Sequence, residues 1–252
     1  MKADLELALR AAGEAGELLL GFYGLEPEGL GSKSSETDLV SDADREAERA
    51  IRELLAAERP RDGLLAEEGS SSEPDSGRRW VVDPLDGTIN FLYGFPAWAV
   101  SIALEDGEGL AVAVVHSPVH AETFHAVRGE GAWLGERRLR VRESTRLGRA
   151  MVATGFSYEA ERRAEQAEVI RRVLPRARDI RRAGAAVLDL AWVAAGRLDA
   201  FYERGLKTWD LAAGQLLVEE AGGAVQALGG TPPGVIAAAS RELLDELAEL
   251  VV

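Results

Sequence analysis

The segment VVDPLDGTINF, residues 81–91, places two aspartates three positions apart around a proline. The apolar residues before it predict a buried strand, and we expect that strand to end at Pro84, which has no amide hydrogen for a sheet. Two carboxylates as close as Asp83 and Asp86 repel each other unless a cation is bound. With the Leu85 carbonyl between them, they form an all-oxygen set that suits Mg²⁺. The ordinary alternative is a turn of solvated acids.

The composition is that of a folded globular protein, and it excludes several kinds of site. Of 252 residues, 46% are hydrophobic and 29% are charged, which is ordinary for a globular domain. No apolar run approaches the ~20 residues of a membrane span, and the acidic N-terminal segment is unlike a secretory signal. We therefore expect a cytoplasmic protein without membrane association. The absence of cysteine excludes disulfides, thiolate metal sites and a cysteine nucleophile.

The charge distribution also narrows the class of ligand. A net charge of −14 disfavours nucleic acid as the main ligand, because phosphate backbones attract Lys and Arg. Lysine occurs only at positions 2, 33 and 207, whereas arginine is frequent. This bias, together with the missing cysteine, suggests a protein from a thermophile. It also draws attention to Lys33 and Lys207, because the chain fills most basic positions with arginine.

Hydrophobic periodicity predicts a mixed α/β, or α+β, chain in two halves. Helices are predicted over residues 4–22 and 41–58. Strands over residues 98–141 predict an antiparallel meander, and strands and helices alternate from about residue 145. We therefore expect an N-terminal α+β half over residues 1–143 and a C-terminal α/β half over residues 144–252.

Three further acids lie at the edges of apolar segments. Glu67 follows a short apolar strand, Asp210 opens a helix, and Asp44 lies near the start of the second helix. Each has an ordinary alternative, since Glu67 is typical of an exposed loop, whereas Asp44 and Asp210 are typical of acids that cap helices. Taken singly, none of them indicates a functional site.

Taken together, the segments AEE (66–68), DPLDGT (83–88) and WDLAAG (209–214) are more informative. In this order they resemble the inositol monophosphatase family of metal-dependent, lithium-sensitive sugar phosphatases. The resemblance begins at KSSETDLVSDAD (33–44) and continues through RRAGAAVLDLAWVAAGRLDAFYE (181–203). It implies a layered αβαβα sandwich and direct attack of water on a phosphate monoester, without a phosphorylated enzyme.

The resemblance implies a site for two to three Mg²⁺ ions. One ion would be held by Glu67, Asp83 and the Leu85 carbonyl. A second would be held by Asp83, Asp86 and Asp210, so that Asp83 bridges the two. A third and weaker ion would depend on Glu67 and water.

The resemblance also assigns catalytic and substrate-binding residues. Thr88, hydrogen-bonded to Asp44, would position the attacking water and pass on its proton, with Glu67 as the third catalytic residue. The backbone N–H groups of Gly87 and Thr88 would hold the phosphate. The other implied substrate contacts are Ser157, Gly184, Ala185, Ala186, Glu203 and Lys207.

Two of these assignments have qualifications. Ala185 stands where the family often has Thr or Ser, so one polar contact to the substrate is missing. Lys33 falls in a loop that in the family is mobile and closes over the metals. For both Lys33 and Lys207 the alternative is an ordinary loop lysine.

The leading hypothesis is a Mg²⁺-dependent phosphatase of inositol monophosphate and related small polyol or sugar phosphates. Rival activities within the family are fructose-1,6-bisphosphatase, 3'(2'),5'-bisphosphate nucleotidase and histidinol phosphatase. A hypothesis of another class is a regulatory protein that keeps the fold and binds the transcription or translation machinery. The resemblance further implies a homodimer and inhibition by lithium.

Overall fold

The long helices and the meander strands occur where the hydrophobic periodicity predicts them. The computed structural model describes residues 1–24, 31–32, 39–40, 42–143 and 146–252. Its helices are α1 (Lys2–Phe22), α2 (Asp42–Glu58), α3 (Thr88–Leu92), α4 (Ala160–Val173), α5 (Ala186–Ala194), α6 (Thr208–Glu220) and α7 (Arg241–Val251). Its strands are β1 (Gly31–Ser32), β2 (Leu39–Val40), β3 (Gly63–Ala66), β4 (Ser71–Ser72), β5 (Arg79–Asp86), β6 (Ala99–Asp106), β7 (Gly109–Ser117), β8 (Glu122–Val127), β9 (Gly131–Leu134), β10 (Arg137–Arg138), β11 (Met151–Thr154), β12 (Asp179–Arg181), β13 (Ala200–Arg204), β14 (Ala224–Leu228) and β15 (Gly234–Ala238).

The larger sheet contains the predicted meander. Its strand order is β10-β9-β8-β7-β6-β5-β3-β4, and every neighbouring pair from β5 to β10 is antiparallel. Strand β3 is parallel to β5, so that Ala66 lies beside Val82. The residues that follow β3 and the end of β5 therefore lie at the same edge of the sheet.

Strand β5 does not end at Pro84, and that prediction is wrong. Asp83 pairs with Ser101 and Asp86 pairs with Ala99, so two residues of β5 oppose the single residue between those partners. This extra residue is a β-bulge, a position where proline is tolerated because no regular ladder bond is lost. The strand therefore continues to Asp86 and carries both aspartates.

The smaller sheet is built from the C-terminal half. Its order is β12-β11-β13-β15-β14; β11 is parallel to β12 and β13, whereas β15 is antiparallel to both of its neighbours. The short edge strand β12 and the strand β14 were not predicted. Glu203 and Arg204 are the last two residues of β13, and α6 begins shortly after them in the chain.

The five layers are helix, sheet, helix, sheet and helix, which confirms the predicted αβαβα sandwich. Helices α1 and α2 pack on the outer face of the larger sheet, with Leu19, Ile51 and Trp98 in the shared core. Helices α5 and α6 lie between the sheets in a core that contains Leu190 and Leu217. Helix α7 covers the outer face of the smaller sheet and contacts α4. None of the described helices is both long and apolar enough to cross a membrane.

Substitution of Gly16 by alanine tests the packing of α1 on the larger sheet. A Cβ at Gly16 would lie 2.6 Å from the His116 ring and 2.8 Å from Pro118, whereas a Cβ at Gly13 in the same helix meets nothing within 4 Å. We expect Gly16→Ala to destabilise the fold by about 1–3 kcal/mol through overpacking. The matched Gly13→Ala should instead stabilise it by up to about 1 kcal/mol, because alanine favours helix. Urea unfolding measures both, and equal effects would contradict this packing.

Candidate active site

Five separate segments of the chain meet around a cavity of about 490 Å³. They are the turn after β3, the end of β5 with the start of α3, the loop after β11, the loop before α5, and the end of β13 with the loop that leads into α6. The predicted site residues that line the cavity are Glu67, Asp83, Leu85, Asp86, Gly87, Thr88, Ser157, Gly184, Ala186, Glu203, Lys207 and Asp210. Residues far apart in sequence are therefore brought to one place.

The floor of this cavity concentrates negative charge. Asp83 is 1% exposed and Asp86 is 9% exposed. Burial raises the pKa of Asp83, and the neighbouring carboxylates of Glu67, Asp86 and Asp210 raise it further. Burial likewise raises the pKa of Asp86, again reinforced by Asp210, although a backbone hydrogen bond opposes the shift. The main influences on both aspartates thus include other acids but no basic group, so the site favours a cation.

Backbone N–H groups fix one oxygen of each aspartate. Asp83 Oδ1 accepts the N–H of Leu85 at 3.0 Å. Asp86 Oδ2 accepts the N–H of Val187, in the first turn of α5, at 2.7 Å. These bonds hold the carboxylates in place, because ionised acceptors form the stronger hydrogen bonds.

Asp210 is both a helix-capping acid and a residue of the cavity. Its Oδ2 accepts the N–H of Lys207, the residue that precedes α6, at 2.6 Å. Asp210 therefore caps α6, which is the ordinary alternative that the sequence analysis considered. The same bond holds Asp210 at the cavity wall, so capping and site functions coexist.

Gly87 and Thr88 directly follow β5, and Asp44 of α2 contacts Thr88. The Thr88 hydroxyl lies 3.1 Å from the Leu85 carbonyl and 3.4 Å from Asp44 Oδ2, so the predicted contact with Asp44 is present but long. Asp44 is fully buried on α2. Gly87 has φ of +93°, and a Cβ there would lie 2.8 Å from the Ala97 carbonyl. Only glycine fits this turn.

Glu203 lines the same cavity. Burial, followed by the charge of Asp210, raises the pKa of Glu203 to about 8, and Arg182 opposes the shift. A Cβ at Gly155 would overlap all three carboxyl atoms of Glu203. The missing side chain at Gly155 therefore provides the space that the Glu203 carboxylate occupies.

The donor set fits a hard divalent cation in chemistry. Carboxylates and a carbonyl are the ligands that Mg²⁺ prefers, and Glu67, Asp83, Leu85, Asp86 and Asp210 supply them around one cavity. In the described part of the chain, no group of three or more acidic or histidine side chains is gathered closely enough to hold a metal ion. Because neighbouring carboxylates repel one another, closer approach needs a shared cation. Holding an ion thus requires these side chains to move together.

Three predicted residues are not among those described as lining the cavity, and Asp44, which contacts Thr88, is one of them. Ala185 is 1% exposed and does not line the cavity; its methyl group instead faces Gly87. Lys33 lies outside the described residues.

The sequence analysis also missed residues that line the cavity, among them Gly155, Phe156, Arg162, Arg182 and Trp209. Arg182 and Trp209 lie inside the recognised segments 181–203 and 209–214, so their position was a usable signal. Gly155 and Arg162 gave none, because their proximity to the acids depends on long-range packing.

A model of the inositol monophosphatase family matches residues 2–252. The chain belongs to this family. An inositol-1-monophosphatase of Rhizobium meliloti is 42% identical, and the match covers 99% of this chain and 96% of the relative. A Nus factor SuhB of Escherichia coli is 41% identical over 89% of this chain and 85% of the relative. The crystal structure of the extragenic suppressor protein suhB from Bartonella henselae superimposes with a TM-score of 0.91 at 40% identity, covering 99% of this chain and 98% of that structure.

Substitution of Gly155 by alanine tests the placement of Glu203. The new Cβ would force the Glu203 carboxylate out of its position, so we expect phosphatase activity to fall by about 10²-fold. Gly148→Ala is the control, because its Cβ would make only an ordinary contact, 3.6 Å from a carbonyl oxygen. Steady-state phosphate release checks both variants, with circular dichroism to verify folding. Wild-type activity in a folded Gly155→Ala protein would contradict the assigned position of Glu203.

Proposed function

We propose that this protein is a Mg²⁺-dependent phosphatase that hydrolyses inositol monophosphate and related small polyol or sugar phosphates. The observation that carries the proposal is the set of buried or half-buried carboxylates, from Glu67, Asp83, Asp86 and Asp210, around a cavity shared with the Thr88 hydroxyl. Membership of a family whose relatives are named inositol-1-monophosphatase supports it.

Two to three Mg²⁺ ions are proposed as the cofactors. Glu67, Asp83, Asp86, Asp210 and the Leu85 carbonyl would hold them. When bound, Mg²⁺ supplies activation of water and stabilisation of the leaving oxygen. The main influences on the pKa of Asp83 and Asp86 include no basic side chain, which is why a divalent cation suits them.

The residues beside the acids have roles of their own in hydrolysis. Thr88 orients the attacking water through its hydroxyl, and Asp44, 3.4 Å away, receives the proton that Thr88 passes on. Glu67, which lines the cavity together with Thr88, is the third catalytic residue. The backbone N–H groups of Gly87 and Thr88, two residues that line the cavity, would hold the phosphate.

We assign the hydroxyl groups of the substrate to the residues around Glu203. Glu203 would accept hydrogen bonds from a polyol ring, with Ser157, Gly184 and Ala186 as neighbouring contacts. Lys207 and Arg182 place positive charge at the same cavity, which suits an anionic substrate. In this proposal residues 1–143 supply most of the metal ligands, whereas residues 144–252 supply Asp210 and the substrate contacts.

A regulatory binding role is the second candidate function. It is favoured by relatives named Nus factor SuhB, among them the protein from Escherichia coli. This role does not require hydrolysis, so a variant without catalysis separates the two functions.

On family grounds alone, the proposal also includes a homodimer and inhibition by lithium. Sedimentation checks the homodimer, and the same phosphatase assay checks the inhibition by lithium.

Substitution of Asp86 by asparagine tests the proposed function. Asparagine is nearly isosteric but uncharged, so we expect hydrolysis of inositol 1-phosphate to fall by roughly 10²-fold or more through loss of metal binding. Any binding to a regulatory partner should be unaffected. Phosphate release, measured with and without EDTA, is the readout.

The matched control for this experiment is Asp199→Asn. Asp199 is 1% exposed and accepts the N–H of Met151 at 2.8 Å, much as Asp86 accepts that of Val187, but it does not line the cavity. The control should keep near wild-type activity. Full activity in Asp86→Asn, or EDTA-resistant turnover in the wild type, would refute the metal assignment.

A further inference from the structure

Glu48 is a buried carboxylate that has no part in the site described so far. It lies on α2 and is 4% exposed. A buried carboxylate is costly unless hydrogen bonds compensate the lost water. The partners of Glu48 therefore indicate what the residue does.

Those partners are two backbone N–H groups of the turn between β3 and β4. Glu48 Oε2 accepts the N–H of Glu68 at 2.6 Å, and Oε1 accepts the N–H of Ser70 at 3.1 Å. Hydrogen bonds to an ionised acceptor are stronger than neutral ones. One carboxylate thus spans the turn and fixes the residue that directly follows Glu67.

Two backbone hydrogen bonds also hold the turn. The Glu67 N–H donates to the Val82 carbonyl at 3.2 Å, and the Ala66 N–H donates to the Ser70 carbonyl at 3.0 Å. These bonds fix the start of the turn and close it, whereas Glu48 holds its middle. Glu48 therefore contributes to the placement of Glu67, which lines the cavity.

Helix α2 also carries Asp44, one turn before Glu48. Residues four apart lie on the same face of a helix, and both side chains are buried. Asp44 faces Thr88 at the end of β5, while Glu48 faces the turn after β3. One face of α2 thus contacts both the turn that carries Glu67 and the end of β5, which carries Asp83 and Asp86.

We propose that Glu48 is a positioning residue, which sets the place of the Glu67 carboxylate through the Glu68 and Ser70 N–H groups and so tunes metal affinity. This inference rests on the proposed function, since Glu67 is a metal ligand only within it. The residue itself touches neither substrate nor metal.

The experiment compares Glu48→Ala and Glu48→Gln with the matched control Glu220→Ala. Glu220 accepts the N–H groups of Gly129 and Gly131 at 2.7 and 2.8 Å, so it spans a turn in the same way but away from the cavity. Calorimetric titration of Mg²⁺ into each metal-free full chain gives the dissociation constant. The Mg²⁺ dependence of phosphate release and the KM for inositol 1-phosphate are measured alongside.

We expect Glu48→Ala to weaken Mg²⁺ binding by about 10–100-fold, as loss of an outer partner of a ligand commonly does. The KM at saturating Mg²⁺ should change little. Glu48→Gln retains one acceptor oxygen and should give a smaller shift in the same direction. The Glu220→Ala protein should bind Mg²⁺ as the wild type does, even if its stability falls.

Three results would overturn the assignment, and they differ in what else they affect. Wild-type Mg²⁺ binding in folded Glu48→Ala, or in Glu48→Gln if the alanine variant does not fold, leaves Glu48 with a structural role only. An equal loss in Glu220→Ala makes the effect a general one of stability. Absence of Mg²⁺ binding in the wild type removes the proposed function as well.

Discussion

Repulsion among the carboxylates of Asp83, Asp86, Asp210 and Glu67 is the constraint on which the rest of this structure depends. Burial removes the water that would screen these charges, and the pKa of both β5 aspartates is raised as a result. An isolated ionised carboxylate in such a place is strongly unfavourable. A site of this kind persists in a stable fold only if something compensates it, and a divalent cation does so most directly.

Backbone N–H groups of the fold stabilise some of these carboxylates by donating hydrogen bonds to them. The β-bulge around Pro84 keeps Asp83 and Asp86 on one strand, α5 offers the Val187 N–H to Asp86, and Asp210 accepts the Lys207 N–H before α6. These elements belong to different layers of the sandwich. The layered arrangement therefore places the acids, and the hydrogen bonds that hold them, around one cavity.

The sequence predicted what local chemistry determines. The DPLDGT segment and the meander follow from apolar runs and from residue types, whereas Glu67 and Asp210 were assigned to the site through the resemblance to the family. The continuation of β5 through Pro84 was mispredicted, because a bulge depends on the partner strand. Glu48 and Gly155 were not predicted at all, because their roles depend on Glu68, Ser70 and Glu203, which only the folded chain brings to them. Sequence spacing carries no signal for such contacts.

The most direct test of this account is thermal unfolding of the metal-free wild-type chain over a series of Mg²⁺ concentrations at constant ionic strength. An ion that binds only the native state stabilises it by mass action, so the melting temperature should rise steadily with Mg²⁺. The compensation of buried carboxylates by a bound cation predicts this rise. A melting temperature that does not respond to Mg²⁺, or that rises equally with NaCl of matched ionic strength, would contradict it.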